Sequence, residues 1–125
     1  MGLTSRVLVV DDQRGMRESL AILLRSHGFD VSLAASGAEA LATCAREPAY
    51  DAVMVDAYMP GIDGLAVARF VRERHPGTRI VLCTGADERE TRRAVASGQV
   101  TSVVHKPFAI AEVLHALSGG ESVSG

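Results

Sequence analysis

Val7-Leu8-Val9-Val10 runs directly into Asp11-Asp12, and the same arrangement returns along the chain. Ala52-Val53-Met54-Val55 ends in Asp56, Ile80-Val81-Leu82-Cys83 in Thr84, and Val103-Val104-His105 in Lys106. Short runs of β-branched and aliphatic residues that alternate with helical patterns read as parallel strands buried on both faces. Parallel strands place their carboxyl ends on one edge, and open α/β sheets bind ligands at that edge. Three acids, a hydroxyl and an ammonium are therefore expected in one crevice. Two carboxylates about 4 Å apart repel by roughly 4 kcal/mol at an effective dielectric of about 20. A divalent cation held by oxygen ligands relieves that repulsion, and magnesium suits a site with few carboxylates.

Between these runs the spacing turns helical. Met16, Leu20, Leu23 and Leu24 share one face of a helix predicted over residues 15–27, and Gly28 stops it. Residues 29–33 form a second strand, in which Val31 and Leu33 alternate with Asp30 and Ser32. Ser36-Gly37-Ala38-Glu39 is a capping-box pattern and opens a helix to about Arg46. Asp63 is read as the cap of a third helix, from Gly64 to about Arg74. Asp87 with Glu90 offers a cap for a fourth, which runs to about Ser97 and is stopped at Gly98. Ile110, Val113, Leu114 and Leu117 carry the stripe of a fifth helix that docks on the sheet. Residues 118–125 are small and polar.

The second strand alternates, and the fifth is diluted by Thr101, Ser102 and His105, so both are placed at sheet edges. The first, third and fourth are placed inside. The expected architecture is an α/β fold: a flavodoxin-like, doubly wound, five-stranded parallel sheet of order 2-1-3-4-5 with five helices. The chain of 125 residues, 47% hydrophobic, suits one domain over 1–118, with 119–125 a flexible tail or the start of a linker. A net charge of −2 and a pI near 6.1 argue against direct nucleic-acid binding. No apolar run reaches membrane-spanning length, which argues against a membrane partner. The first strand begins too early for a signal peptide. Cys44 and Cys83 sit in apolar patterns without metal-like spacing and read as core thiols, so a cytoplasmic location is expected.

Asp56 is the strongest nucleophile candidate, because it is the acid that ends an apolar central run. A carboxylate can attack a phosphoryl group to form an acyl phosphate. That transfer needs charge neutralised on the phosphoryl oxygens and a nucleophile in line. Asp11 and Asp12 are candidates to hold the cation, Lys106 to supply a point charge, and Thr84 to donate its hydroxyl. His27, His75, His105 and His115 are scattered, and none is read as catalytic.

With Val-Val-Asp-Asp at 9–12, Asp56 with Met59-Pro60-Gly61 and Asp63-Gly64, Thr84-Gly85 and Lys106-Pro107-Phe108, the chain resembles the receiver domain of two-component response regulators. The resemblance covers about residues 5–117. It implies that Asp56 is the phosphoacceptor, that Asp12 and Asp56 bind magnesium directly, that Asp11 acts more through water, and that the Tyr58 carbonyl completes the protein ligands. Thr84 and Lys106 would hold the phosphoryl group. The implied partners are a histidine kinase or histidine phosphotransfer protein and a downstream effector protein or domain. The implied protein is no turnover enzyme, though it catalyses its own aspartyl phosphorylation and dephosphorylation. The family often has a cis peptide before its equivalent of Pro107.

Two departures stand out. Val103 occupies a position where the family usually carries Tyr or Phe, so the familiar aromatic switch is not expected. Tyr58 is bulky and is expected to overhang the site and restrict hydrolytic water. A phosphorylation-independent pseudo-receiver binding module is the alternative reading, and the complete set of acids, Thr84 and Lys106 argues against it. An aspartate-nucleophile phosphatase would need a general acid where Tyr58 stands. A flavin carrier would need a phosphate-cradling loop after the first strand.

Overall fold

In a computed structural model, residues 5–85, 88–98, 100–106 and 108–118 are described. Five strands alternate with five helices. The order is β1 (Arg6–Val10), α1 (Arg14–Ser26), β2 (Asp30–Ala34), α2 (Gly37–Arg46), β3 (Ala52–Asp56), α3 (Gly64–Arg74), β4 (Arg79–Thr84), α4 (Glu88–Ala96), β5 (Ser102–His105) and α5 (Ile110–Leu117). The strands form one parallel sheet in the order β2-β1-β3-β4-β5. This is the flavodoxin-like arrangement expected from the sequence, with the alternating second strand and the diluted fifth at the edges.

The interiors of β1, β3 and β4 are apolar because each face of the sheet has its own core. Leu8, Val10, Val53, Val55, Ile80 and Leu82 point to one side and meet Ala40 and Cys44 of α2, Val67, Ala68 and Val71 of α3, and Ala94 of α4. Val7, Val9, Met54, Val81 and Cys83 point to the other and meet Leu20, Ala21 and Leu24 of α1 and Val113, Ala116 and Leu117 of α5. Successive side chains on a strand point to opposite faces, so two covered faces leave no polar positions between the ends.

Most element ends fall within a residue of the sequence reading. The helix read over 15–27 is observed one residue earlier, at Arg14–Ser26, and the strand read over 29–33 one residue later, at Asp30–Ala34. β3 and β4 each extend one residue further than read, taking in Asp56 and Thr84. Asp56 pairs with Cys83 and Thr84 with His105, so backbone pairing continues past the last apolar side chain. The expected caps on α2 and α3 form. Ser36 accepts from the Glu39 amide at 3.1 Å, and Asp63 from the Ala66 amide at 2.9 Å. The Asp87 cap, the peptide before Pro107 and residues 119–125 lie outside the described residues.

The start of α3 packs closely on the end of β3. A Cβ on Gly64 would stand 2.3 Å from the Asp56 carbonyl oxygen and 2.9 Å from the Ala57 Cα. Both neighbours are backbone, so neither yields by rotating a side chain. Gly64→Ala is expected to destabilise the fold by about 2 kcal/mol, the usual range for forcing extra atoms into a packed region. Urea unfolding checks this, and unchanged stability would show that the loop after β3 gives way freely.

Candidate functional site

The carboxyl ends of β1, β3, β4 and β5 lie side by side, and the polar residues at those ends meet there. Asp11 and Asp56 are buried, and Asp12 is exposed. Each offers a carboxylate oxygen within 4.8 Å of the others. The Lys106 ammonium spans two of them, at 3.4 Å from Asp11 Oδ2 and 3.2 Å from Asp56 Oδ2. Burial alone would pull the Lys106 ammonium down. The charge of Asp11 and the hydrogen bond and charge of Asp56 outweigh it, and Lys106 ends above its ordinary value. Thr84 is buried at the end of β4, and its carbonyl accepts from the Lys106 amide at 2.8 Å.

The other carboxylate oxygens are anchored by backbone. Asp11 Oδ1 accepts from the Gln13 amide at 2.9 Å, and Asp56 Oδ1 from the Tyr58 amide at 3.2 Å. In each case the acid holds the start of the loop that follows its strand, an Asx-turn contact. Beneath them the Cys83 thiol is pushed up to about 12, first by burial, with the acids adding to it and Lys106 opposing. It is therefore neutral at physiological pH and leaves the charge balance to the acids and Lys106.

All six residues singled out in the sequence thus lie at this edge. Tyr58 sits on the loop directly after Asp56 and is 51% exposed. Val103 is half-buried against the α2–α4 side core.

The architecture is matched by known proteins. The model of the response regulator receiver domain matches residues 7–118. The chain belongs to that family. Response regulator MprA of Mycobacterium leprae is 39% identical over 109 residues, which is 87% of this chain and 47% of the relative. The chain therefore spans about half the length of the curated relatives it matches. The response regulator TrrA of Thermotoga maritima, solved in complex with Mg2+ and BeF, is 33% identical, with a TM-score of 0.82 over 92% of this chain and 97% of that one. Chemotaxis protein CheY4 of Vibrio cholerae is 28% identical, with a TM-score of 0.84 over 93% of this chain and 98% of that one. A receiver domain is a signalling module, and no helix among the described residues is long and apolar enough to cross a membrane.

The residues present fit a hard divalent cation. The donors are all oxygen, three carboxylates converge, and Asp12 has no hydrogen bond or ion pair among the described residues. Oxygen-only ligation with room for water is the pattern magnesium takes. One residue that contacts the site went unread in the sequence. Arg17, on the first turn of α1, donates from Nη1 to the Asp11 carbonyl at 2.8 Å.

Proposed function

We propose that this receiver domain accepts a phosphoryl group from a phosphohistidine on a partner protein onto Asp56. The observation that carries the reading is the convergence of Asp11, Asp12, Asp56 and Lys106 at one edge, with Thr84 buried beside them. Asp12, Asp56 and the Tyr58 carbonyl would hold magnesium, with Asp11 acting through water. When bound, the cation neutralises charge on the phosphoryl oxygens. An Asp56 carboxylate oxygen attacks phosphorus, the bond from phosphorus to the donor imidazole nitrogen breaks, and that nitrogen takes up a proton. Lys106 exchanges its Asp56 contact for a phosphoryl oxygen, and the Thr84 hydroxyl donates to another.

The new group adds about −1.5 to −2 charges. The Lys106 amide is bonded to the Thr84 carbonyl, so movement at either reaches the backbone that leads to α4. Val103 leaves this backbone route, rather than a turning aromatic ring, as the path to the partner-binding surface. The donor is a histidine kinase or histidine phosphotransfer protein in the cytoplasm, and the recipient of the signal is an effector protein or domain.

The test uses a small acyl-phosphate donor and magnesium. One phosphoryl group should add to the protein, and borohydride trapping with peptide mapping should place it on Asp56. Asp56→Asn should take up none. Label on Asp11, Asp12 or a histidine would overturn the assignment.

A further inference from the structure

Asp11 is held at four points. Its amide donates to the Ala34 carbonyl at 3.2 Å, and its carboxylate meets the Gln13 amide and Lys106. The fourth point is its carbonyl, which accepts from Arg17 Nη1 at 2.8 Å. That carbonyl belongs to the peptide joining Asp11 to Asp12. Peptide groups are planar, so fixing the direction of this C=O fixes the plane from which the Asp12 Cα departs. Asp12 itself is exposed and forms no hydrogen bond or ion pair among the described residues. Its aim into the site is set by its backbone.

The placement of Arg17 runs against local preference. The first turn of α1 contains no acid, and Arg14 and Arg17 both lie near the positive end of the helix dipole. Arg14 is paired with Glu18 at 2.8 Å. Arg17 instead turns back to the β1–α1 loop and is half-buried there. Local rules are broken most often where a site requires it.

We propose that Arg17 is a positioning residue for the cation site, holding the Asp11–Asp12 peptide so that the Asp12 carboxylate faces the cation. This rests on the reading of Asp12 as a metal ligand. Contacts of this kind behind a ligand commonly change metal affinity tenfold or more. Charge and geometry make opposite demands here. Removing a positive charge near a cation site tightens cation binding, whereas losing the anchor loosens it.

The experiment titrates magnesium into the isotope-labelled domain and follows backbone amides by NMR, for wild type, Arg17→Met and Arg17→Gln. Both variants lose the charge; methionine carries no donor, and the glutamine amide is a donor on a shorter stem than the one that brings Arg17 Nη1 to the Asp11 carbonyl. Methionine keeps the apolar stem and glutamine keeps a shorter polar one, so a folded variant is available even if one substitution fails. Folding is checked by the sheet amides, which should keep their shifts. Magnesium affinity about tenfold weaker in the folded variants, with the Asp12 and Gln13 amides displaced before metal is added, is the expected result. Equal or tighter affinity than wild type overturns the positioning role. A wild-type protein that binds no magnesium overturns the metal-site reading instead, so the two failures are distinguishable.

Discussion

Asp12→Ala is expected to weaken magnesium binding by about 100-fold or more while leaving the fold intact or slightly more stable. The two effects have opposite signs for one reason. Asp12 is exposed and has no hydrogen bond or ion pair among the described residues, so its removal breaks no contact seen there. It does remove one of three carboxylates whose oxygens lie within 4.8 Å of each other. Exposed charges interact weakly, so relief of this repulsion should add no more than about 1 kcal/mol to stability. With Asp12 as a ligand, as proposed, its loss should weaken magnesium by about 100-fold or more, roughly 2.7 kcal/mol of binding free energy. Phosphoryl uptake from a small donor should fall below detection. Urea unfolding in EDTA and a magnesium titration read the two effects separately. A variant that loses stability but keeps its magnesium would show that Asp12 is a structural group and that the cation, if any, sits elsewhere.

The sheet was legible because its strands are buried on both faces. That burial makes β1, β3 and β4 continuous apolar runs, and it makes the polar residue at each end conspicuous. The edges were legible for the converse reason. Asp30 is exposed and Ser32 half-buried on β2, and His105 is exposed on β5. Side-chain polarity marks where burial of apolar groups stops, not where backbone pairing stops. Hence Asp56 and Thr84 lie within β3 and β4 although each reads as the residue after a strand.

Contacts between distant elements were not legible. Gly37 reads as part of the Ser36 capping pattern, yet a Cβ there would stand 2.3 Å from the Ile62 carbonyl oxygen. With Gly64 against Asp56, this brings two helix starts onto the backbone around the β3–α3 loop. Neither contact has a periodic signature, because it depends on how closely two segments pass. Arg17 was hidden for a similar reason. Its partner is a backbone carbonyl, which no sequence pattern distinguishes. The one hint was an arginine in the first turn of a helix, where the dipole disfavours it.

Lys106→Met is expected to destabilise the metal-free protein by about 3 kcal/mol and to tighten magnesium by about tenfold. The ammonium stands 3.4 Å from Asp11 and 3.2 Å from Asp56, whose side chains are 4% and 10% exposed. Methionine approximates the stem but leaves two largely buried carboxylates facing each other without a counter-charge. Removing one partner of a buried pair costs about 3–5 kcal/mol, and the 21% exposure of the Lys106 side chain places this case at the lower end. The pairing raises Lys106 above its ordinary value, so the stabilisation is fully present below the ordinary lysine range. It is lost as pH rises through the raised value, and experiments near neutrality see all of it. Magnesium should substitute for the missing charge. A doubly charged cation held by the carboxylates that Lys106 contacts would be repelled by its ammonium, so the variant should bind magnesium about tenfold tighter. At about 100 times its Kd, a ligand that binds the folded state adds about 2.7 kcal/mol. Magnesium at that level should therefore return most of the lost stability. Urea unfolding of both proteins, in EDTA and in magnesium, measures each part. Equal stabilities in EDTA, or weaker magnesium binding by the variant, would mean that Lys106 does not act as the counter-charge of the acid pair.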